Sequence, residues 1–278
     1  MMGTVVGGFI MPHTPLMFIA PDAVGSERYN KISGFYSAIA ARLRELRVDT
    51  VVIAGADHYL IFGPGCLPQY LIGIGDAKGP IDRIPGLDEV ALKTDQPLAR
   101  HIRQSGAQSG FDWAVATTLP VDHSILIPHQ LCVRPAGAEI ATIPVYLACG
   151  VEPYLEKQRA YELGKSVARA IASFPDQRRV AVIGSGGISH WVGLPDMGKV
   201  NEDFDRMVLD HVVNGRAAEL IAIPDHELMS DAGNGAMEIR NFLFALGVTG
   251  GTSGVIIGQE PAPEWITGLG FAELHPAN

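Results

Sequence analysis

Four histidines stand at the ends of strand-like or extended segments, where side chains are placed for chemistry. His13 follows the apolar run GGFIMP, His58 follows VVIAGAD, His123 lies in TTLPVDHSIL and His190 follows VAVIGSGGIS. Side chains that follow neighbouring strands converge at one edge of a sheet. Imidazole is both a common metal ligand and an acid–base group that titrates near neutral pH. The pattern therefore predicts one shared site for metal binding or proton transfer.

Glu238 offers the carboxylate that such a metal site would need. It lies in DAGNGAMEIRNFL, in the first turns of a predicted helix, where capping or an interaction with the helix dipole is the alternative role. Two histidines and one carboxylate form a facial triad, which leaves three positions of octahedral iron(II) open for a bidentate ligand and O₂. Zinc uses the same donor types with a water in the open position. The donor types do not decide between these two metals.

Other polar residues near these histidines have several possible roles. Asp57 and Asp122 each precede a site histidine directly, so each would either orient an imidazole or serve as a cap or surface group. Arg240, Thr267 and His275 are candidates to meet a substrate carboxylate. Four further histidines are expected to lie at the surface or to be satisfied in the core: His101, His211, His226 and His275. His129 is open between such a structural role and a role in the site, because it lies just beyond His123.

Apolar strand patterns alternate with amphipathic helix patterns along the whole chain. The predicted strands are Thr4–Met11, Thr50–Ala54, Gln69–Ile74, Phe111–Val115, Glu139–Leu147, Arg179–Gly184 and Val255–Gly258. The predicted helices are Glu27–Leu46, Leu87–Gln104, Pro153–Phe174, Val200–Val213, Asp225–Met229 and Asn234–Leu246. This order predicts a single α/β domain over residues 1–278, with a central mostly parallel or mixed sheet flanked by helices on both faces.

Three segments between or within these elements carry more specific expectations. Gly75–Pro85 is rich in Gly, Pro and Asp and is expected to form an exposed loop. Pro144 interrupts its strand, which places that strand at an edge or bends it. The Gly- and Pro-rich C-terminal tail is expected either to pack over another part of the chain or to fray.

Charge and composition exclude several classes of partner. The formal net charge is −9, which argues against a nucleic acid or an anionic membrane surface as the main partner. An anionic substrate would then need local positive charge from a metal or an arginine. The run GSGG lacks the spacing of a phosphate-binding loop, and no GxSxG elbow is present. Three cysteines without a CxxC pair and an N-terminus without a basic leader predict a cytoplasmic protein.

Five short motifs, in order over most of the chain, resemble one family. They are PHTP at 12–15, ADHY at 56–59, PVDHSILIPH at 120–129, GSGGISH at 184–190 and GNGAMEIRNF at 233–242. The chain resembles the class III extradiol ring-cleaving dioxygenases, the superfamily of the protocatechuate 4,5-dioxygenase β subunit. Each motif alone is weak, and five in the same order are fairly specific. Ser124 departs from the pattern, because the family often has glycine after the histidine at this position.

The resemblance implies a site and a reaction. It implies iron(II) held by His13, His58 and Glu238, with His190 as the acid–base histidine and His123 as a second active-site histidine. The substrates would be O₂ and a catechol, with protocatechuate- or gallate-like compounds as the first expectation. The product would be of the muconic semialdehyde type. The two glycines before His190 would leave room for the aromatic ring beside the iron.

Two other functions and one structural question remain open at this point. A zinc-dependent hydrolase would use the same ligand set. A non-catalytic subunit of a two-subunit ring cleaver is disfavoured, because no proposed ligand position is substituted. We expect the site to be closed by a separate small lid-like subunit, by a homo-oligomer or by the chain's own tail.

Overall fold

Short runs of β-branched and small apolar residues form the strands, and longer amphipathic segments form the helices between them. The computed structural model describes residues 2–251 and 253–277. The strands are β1 (Thr4–Met11), β2 (Thr50–Ala56), β3 (Tyr70–Gly79), β4 (Val90–Leu92), β5 (Ala114–Pro120), β6 (Ala141–Leu147), β7 (Arg179–Ser185), β8 (Ser253–Ala262) and β9 (Thr267–His275).

The helices connect these strands and lie against the sheet. They are α1 (Leu16–Ile19), α2 (Ser26–Glu45), α3 (Gln96–Gln108), α4 (His123–Pro128), α5 (Arg134–Ala136), α6 (Lys157–Ser173), α7 (Glu202–Val213), α8 (Ala217–Ala222), α9 (Asp225–Ala232) and α10 (Ile239–Thr249). Short 3₁₀ turns span Pro21–Val24, Asn234–Glu238 and Pro263–Trp265, and a π-helical turn spans His129–Val133. Among the described residues, no helix combines the length and apolar character that a membrane crossing requires.

The strands form one mixed sheet with a parallel centre. The order is β4-β3-β6-β2-β7-β1-β9-β8, and β5 pairs with β3. The strands β6, β2, β7 and β1 run parallel to their neighbours in this order. The strands β3 and β9 are antiparallel to β6 and β1 on either side. The predicted single α/β domain with a mostly parallel or mixed sheet is therefore confirmed as a fold class.

Alternation along each central strand produces an apolar layer on both faces of the sheet. In β1, Phe9 and Met11 pack with the residues of α2, whereas Ile10 packs with those of α6 and α10. All three side chains are fully buried. Burying one large apolar side chain stabilises the fold by about 1.5–3 kcal/mol. The helices therefore lie on both faces because each face has an apolar layer to bury.

Two local predictions around proline differ from the structure. The helix predicted over Leu87–Gln104, with Pro97 as a point of division or kinking, is instead β4 followed by α3, which begins where Asp95 accepts a hydrogen bond from the Leu98 backbone N–H. Pro144 lies in a central strand, where Ile53 pairs with it from β2. The ladder between β3 and β6 ends at Val145, so the proline lies just outside that pairing.

One predicted loop forms a strand, and the C-terminal tail packs onto the sheet, which is one of its two predicted alternatives. Residues 75–79 of the predicted Gly75–Pro85 loop continue β3, which pairs there with β4 and β5. Most of the tail forms β9, which pairs with β1 and β8 and buries Phe271 and Leu274 completely. Glycine and proline lower intrinsic strand propensity, but pairing with an existing strand and burial of apolar side chains outweigh that preference here.

Candidate active site

Three of the four predicted histidines follow the carboxyl ends of neighbouring parallel strands. His13 lies two residues beyond β1, His58 lies two residues beyond β2, and β7 runs into the glycines that precede His190. Because β7 pairs with both β1 and β2, these three ends meet at one edge of the sheet. Ligands bind at this edge in open α/β sheets.

His123 and Glu238 reach the same edge from helical turns. His123 is the first residue of α4, and Asp122 caps that helix by accepting a hydrogen bond from the Ser124 backbone N–H. Glu238 ends the 3₁₀ turn that leads into α10. Its second oxygen, Oε2, accepts a hydrogen bond of 2.9 Å from the Gly187 backbone N–H. The structure therefore brings all five predicted site residues together.

The distances between donor atoms suit a shared metal ion. Glu238 Oε1 lies 3.1 Å from His13 Nε2 and 3.6 Å from His58 Nε2. Two ligands on perpendicular bonds of about 2.1 Å lie about 3 Å apart. Ligand atoms of His13, His58 and His123 also lie within 4.8 Å of one another. These four side chains could hold a cation, either as two imidazoles with a carboxylate or as three imidazoles.

Hydrogen bonds on the far side of the rings hold two of the imidazoles in place. His13 Nδ1 lies 2.8 Å from Ser185 Oγ, and His58 Nδ1 lies 2.8 Å from Asp122 Oδ2. A partner on one ring nitrogen fixes the tautomer and leaves the other nitrogen as the ligand. Both Nε2 atoms face Glu238, so the protein leaves both nitrogens available to a metal.

Asp82 holds His123 in the same way, and this residue was missed in the sequence. Its Oδ2 accepts a hydrogen bond from His123 Nδ1, and its Oδ1 is buried without a partner among the described residues. The loop of Asp82 is tied to the start of α4 because the Ile81 N–H donates to the Val121 carbonyl at 2.9 Å. The carboxylate precedes His123 by 41 positions, so spacing gave no signal for the pair.

Ser124, the departure from the family pattern, supports this geometry. Its hydroxyl donates a hydrogen bond of 2.6 Å to Asp122 Oδ1, the carboxylate that also bonds to His58. Tyr146 donates to the same oxygen at 3.0 Å. The Asp122 side chain thus hydrogen-bonds to the imidazole of His58, whereas the hydrogen-bond partner of the adjacent His123 imidazole is Asp82. Asp57 instead caps its own loop, accepting backbone hydrogen bonds from residues 60–62.

The electrostatics of the site favour a positive charge between these side chains. Burial opposes charging of His58, but hydrogen bonds to Asp122 and Glu238 outweigh it and raise the pKa of His58 to about 10. Burial works against ionisation of Glu238, yet the adjacent His13 and the hydrogen bonds to both imidazoles hold its pKa well below the usual value. A site that favours a proton here also favours a metal cation.

His190 is packed against glycine backbone on two sides. A Cβ at Gly235 would lie 2.2 Å from the ring, and a Cβ at Gly187 would lie 2.8 Å from its Nδ1. That Nδ1 is buried without a hydrogen-bond partner in the described ranges. Burial lowers the pKa of His190 to about 4, so its imidazole is neutral at pH 7 in the metal-free protein. A neutral imidazole can accept a proton.

The two glycines before His190 lie close to site side chains, and Gly187 also lines the cavity beside them. Gly186 leaves room for the Glu238 side chain, because a Cβ at position 186 would lie only 2.8 Å from the Glu238 Cβ. Gly187 leaves room for the His190 ring and Thr267. These glycines therefore admit site side chains, and the predicted space for a substrate ring beside Gly187 stays a prediction.

A cavity of about 250 Å³ opens beside the five side chains. An apolar cavity of about 150 Å³ is large enough for a benzene ring, so this one has room for a ring with a substituent. One wall comes from the C-terminal part of the chain, through Trp265, Ile266 and Thr267. Trp265 is fixed there by its indole N–H, which donates to the Ala20 carbonyl at 2.9 Å.

The predicted carboxylate-binding residues have different positions. Thr267 lines the cavity. Arg240 is buried elsewhere, with its guanidinium on Asp225 at 2.6 Å, and does not line the cavity. His275 ends β9 at the far end of that strand from Thr267. His129, left open above, is a core residue whose Nδ1 lies 3.0 Å from Thr142 Oγ1.

Comparison with known proteins identifies the family of the chain. The sequence profile of the catalytic LigB subunit of aromatic ring-opening dioxygenase matches residues 7–270. Two similar proteins are named 2,3-dihydroxyphenylpropionate/2,3-dihydroxicinnamic acid 1,2-dioxygenase. The one from Photorhabdus laumondii is 23% identical over 95% of both chains. The one from Pseudomonas putida is 26% identical over 95% of this chain and 97% of its own.

A solved structure shares the fold. The crystal structure of an uncharacterized protein from Escherichia coli K12 superposes with a TM-score of 0.61 and 12% identity, covering 96% of this chain and 99% of that one. The family match spans the strand ends that carry His13 and His58 and the turn that carries Glu238. The predicted resemblance is confirmed: the chain belongs to the class III extradiol dioxygenases, the family of the catalytic LigB subunit of aromatic ring-opening dioxygenases.

Proposed function

We propose that this extradiol dioxygenase is iron(II)-dependent and cleaves a catechol with O₂ to a muconic semialdehyde-type product. His13, His58 and Glu238 would hold the metal. The observation that carries the proposal is the approach of Glu238 Oε1 to within 3.1 and 3.6 Å of the two Nε2 atoms. This donor set is the facial triad of non-haem iron(II) oxygenases. Bound there, iron would lower the pKa of the ring hydroxyls and supply the redox chemistry with O₂.

The chain's own side chains would handle the protons. His190 lines the cavity as a neutral imidazole, so it is suited to accept a proton from a ring hydroxyl and to return it later as an acid. Its position between Gly187 and Gly235 fixes the ring by packing, and its Nδ1 has no hydrogen-bond partner among the described residues. His123 also lines the cavity, with its Nδ1 tied to Asp82, so its Nε2 would act as a preoriented polar group.

The two adjacent hydroxyl groups are the part of the substrate that the proposed metal site would recognise. The sequence predicts a protocatechuate- or gallate-like compound, and the relatives are named for 2,3-dihydroxyphenylpropionate. All of these share two adjacent hydroxyl groups, which match the three open positions of a facial triad together with O₂.

Metal content and O₂ uptake test the proposal directly. The protein would be reconstituted anaerobically with Fe(II), and O₂ consumption would be followed with a panel of catechols. We expect stoichiometric iron and uptake of O₂ with at least one catechol. Stoichiometric zinc, with no O₂ uptake after reconstitution with Fe(II), would contradict the proposal and favour the zinc hydrolase, because three imidazoles also suit zinc.

Two substitutions separate metal binding from proton transfer. Glu238→Ala is expected to lose the iron, whereas His190→Ala should keep the iron and lose ring cleavage. His129→Ala is the matched control, since it removes a buried imidazole that lies outside the cavity. Full iron occupancy in Glu238→Ala would show that the ligand assignment is wrong.

We further propose that the chain's own C-terminal segment closes the site. Trp265, Ile266 and Thr267 already wall the cavity, which supports this option over a separate lid-like subunit. A homo-oligomer stays a prediction. Light scattering of the purified chain, together with activity in the absence of any second protein, tests both points. Activity that required an added small subunit would contradict closure by this segment.

A further inference from the structure

We propose that the ring cleaved by this enzyme carries an uncharged, apolar substituent, and that Leu16 and Ile266 select it. The inference rests on the proposed function, because it concerns the ring that the catechol belongs to. It differs from the carboxylated rings that the relatives' names contain. It is carried by the chemistry of the cavity wall.

The wall outside the histidines and Glu238 is almost wholly apolar. Its side chains are Pro12, Pro15, Leu16, Val192, Trp265 and Ile266. Thr14 and Thr267 add two hydroxyl groups, and the Thr267 hydroxyl already donates to the Gly268 carbonyl at 3.2 Å. An alkyl or aryl substituent would be buried here against carbon atoms, which is favourable in proportion to the apolar area covered.

A substrate carboxylate would find no cation in this wall. Within residues 2–251 and 253–277, no lysine or arginine lines the cavity. Arg28 lies near this wall, because the adjacent Tyr29 packs its ring against Trp265. Its guanidinium is already paired with Glu260 and Glu264. Arg240 is paired with Asp225. A carboxylate buried beside apolar groups without a partner is strongly disfavoured.

Three carboxylates of the protein already surround the site. Glu238 lies between the histidines, Asp122 lies behind His58, and Asp82 lies behind His123. A further carboxylate on the substrate would add a like charge to this group, and like charges at close range repel. The metal would neutralise part of this charge, but the catechol oxygens would themselves bind to that metal.

Ile266 is placed on this wall at a conformational cost. Its backbone φ is 55°, in the left-handed region, which is a genuine outlier for a β-branched residue. Its N–H donates to the Pro263 carbonyl at 3.0 Å, which closes the turn. Glycine or asparagine would suit this backbone better. Such outliers cluster at functional sites, and here the strained position presents an apolar side chain to the cavity.

Matched pairs of catechols test the inference by binding and by turnover. One pair is 3-propylcatechol and 2,3-dihydroxyphenylpropionate, and the other is 4-methylcatechol and protocatechuate. Binding to the protein as purified would be measured anaerobically by calorimetry, and kcat/KM in air. We expect the neutral member of each pair to bind about tenfold or more tightly and to be cleaved with the higher kcat/KM. Equal or tighter binding of the carboxylates would overturn the inference.

The two readouts separate this inference from the proposed function. If no catechol is cleaved but the neutral ring binds more tightly, the proposed function fails and the inference about the pocket stands. If the carboxylated rings bind more tightly and are cleaved, the proposed function stands and the inference fails.

An arginine introduced into the cavity wall tests whether Ile266 and Leu16 select the substituent. Ile266→Arg should shift the binding ratio towards the carboxylated ring by about tenfold. The same change at Ile256, an exposed residue of β8 outside the cavity, is the control and should leave the ratio unaltered. If Ile266→Arg does not fold, Leu16→Arg gives the same test, because Leu16 also lines the cavity and is half-buried. An unchanged ratio in a folded wall variant would remove that residue from the assignment.

Discussion

Asp205 should make the stability of the protein fall as the pH rises, and Asp205→Asn should abolish that fall. The residue lies in α7 and is 1% exposed. Its Oδ1 accepts a hydrogen bond of 2.8 Å from the Ser189 N–H, while its Oδ2 has no partner among the described residues. Burial, helped by the nearby charge of Glu202 and opposed by the bonds from Ser189, raises the pKa of Asp205 from 3.8 to about 7.

The sign and size of the effect follow from linkage. Below about pH 4 the carboxyl group is neutral in the folded and the unfolded protein. Between that value and about pH 7 it ionises only in the unfolded chain, so folding takes up a proton and stability falls with rising pH. A shift of about 3 pKa units at about 1.4 kcal/mol each gives a total loss of about 4 kcal/mol. Above about pH 7 the loss is complete and constant.

Urea unfolding at several pH values measures this change. Asparagine has the shape of the protonated carboxyl group and does not ionise, so Asp205→Asn should gain stability relative to the wild type by about 4 kcal/mol between about pH 4 and about pH 8. Other titrating groups are shared by the two proteins and cancel in the difference. Asp203→Asn, on the exposed side of the same helix, is the control. A difference between Asp205→Asn and the wild type that stays flat over this range would refute the reasoning.

Two further substitutions probe how the active-site histidines are held. Asp82→Asn should lower kcat by about tenfold to a hundredfold with the iron content unaltered, because it weakens the hold on His123; iron lost in step with kcat would contradict a purely orienting role. Gly235→Ala should abolish turnover in a folded protein, since the new methyl group would lie 2.2 Å from the His190 ring. Gly34→Ala, where nothing lies within 4 Å of the new methyl, should leave kcat as it is; wild-type turnover in Gly235→Ala would refute the packing argument.

The meeting of the proposed metal ligands at one edge was predictable, because the apolar strand patterns indicate where the strands end. His13 and His58 follow runs of buried β-branched and small residues, and such runs form the parallel centre of an α/β sheet. Parallel neighbours bring their carboxyl ends to one edge, so two local patterns were enough to predict a shared site. Glu238 was found through the expected need for a carboxylate and through the family motif, and its turn reaches the same edge.

The groups that orient the histidines were not predictable from spacing. Asp122 is adjacent to His123 but bonds to His58, 64 positions away. Asp82 bonds to His123 from a loop that composition alone marks as exposed. Each pairing depends on which loops meet at the sheet edge, and that is set by the order of the strands. Strand order follows from tertiary pairing, which the pattern of a single strand does not contain.

The cavity wall that would contact the ring substituent also depends on strand order, so the sequence did not predict it. The wall residue Ile266 lies in the turn between β8 and β9, and the sequence showed this region as a Gly- and Pro-rich tail. Because β9 pairs with β1, the strand that leads to His13, the turn before β9 is brought beside the proposed metal ligands. A segment with weak local preference for strand or helix therefore forms the wall to which we assign substrate selection. Substitutions in this turn should alter which ring substituent the enzyme prefers. They should not alter metal binding, because the proposed ligands follow β1 and β2 and lie in the turn before α10.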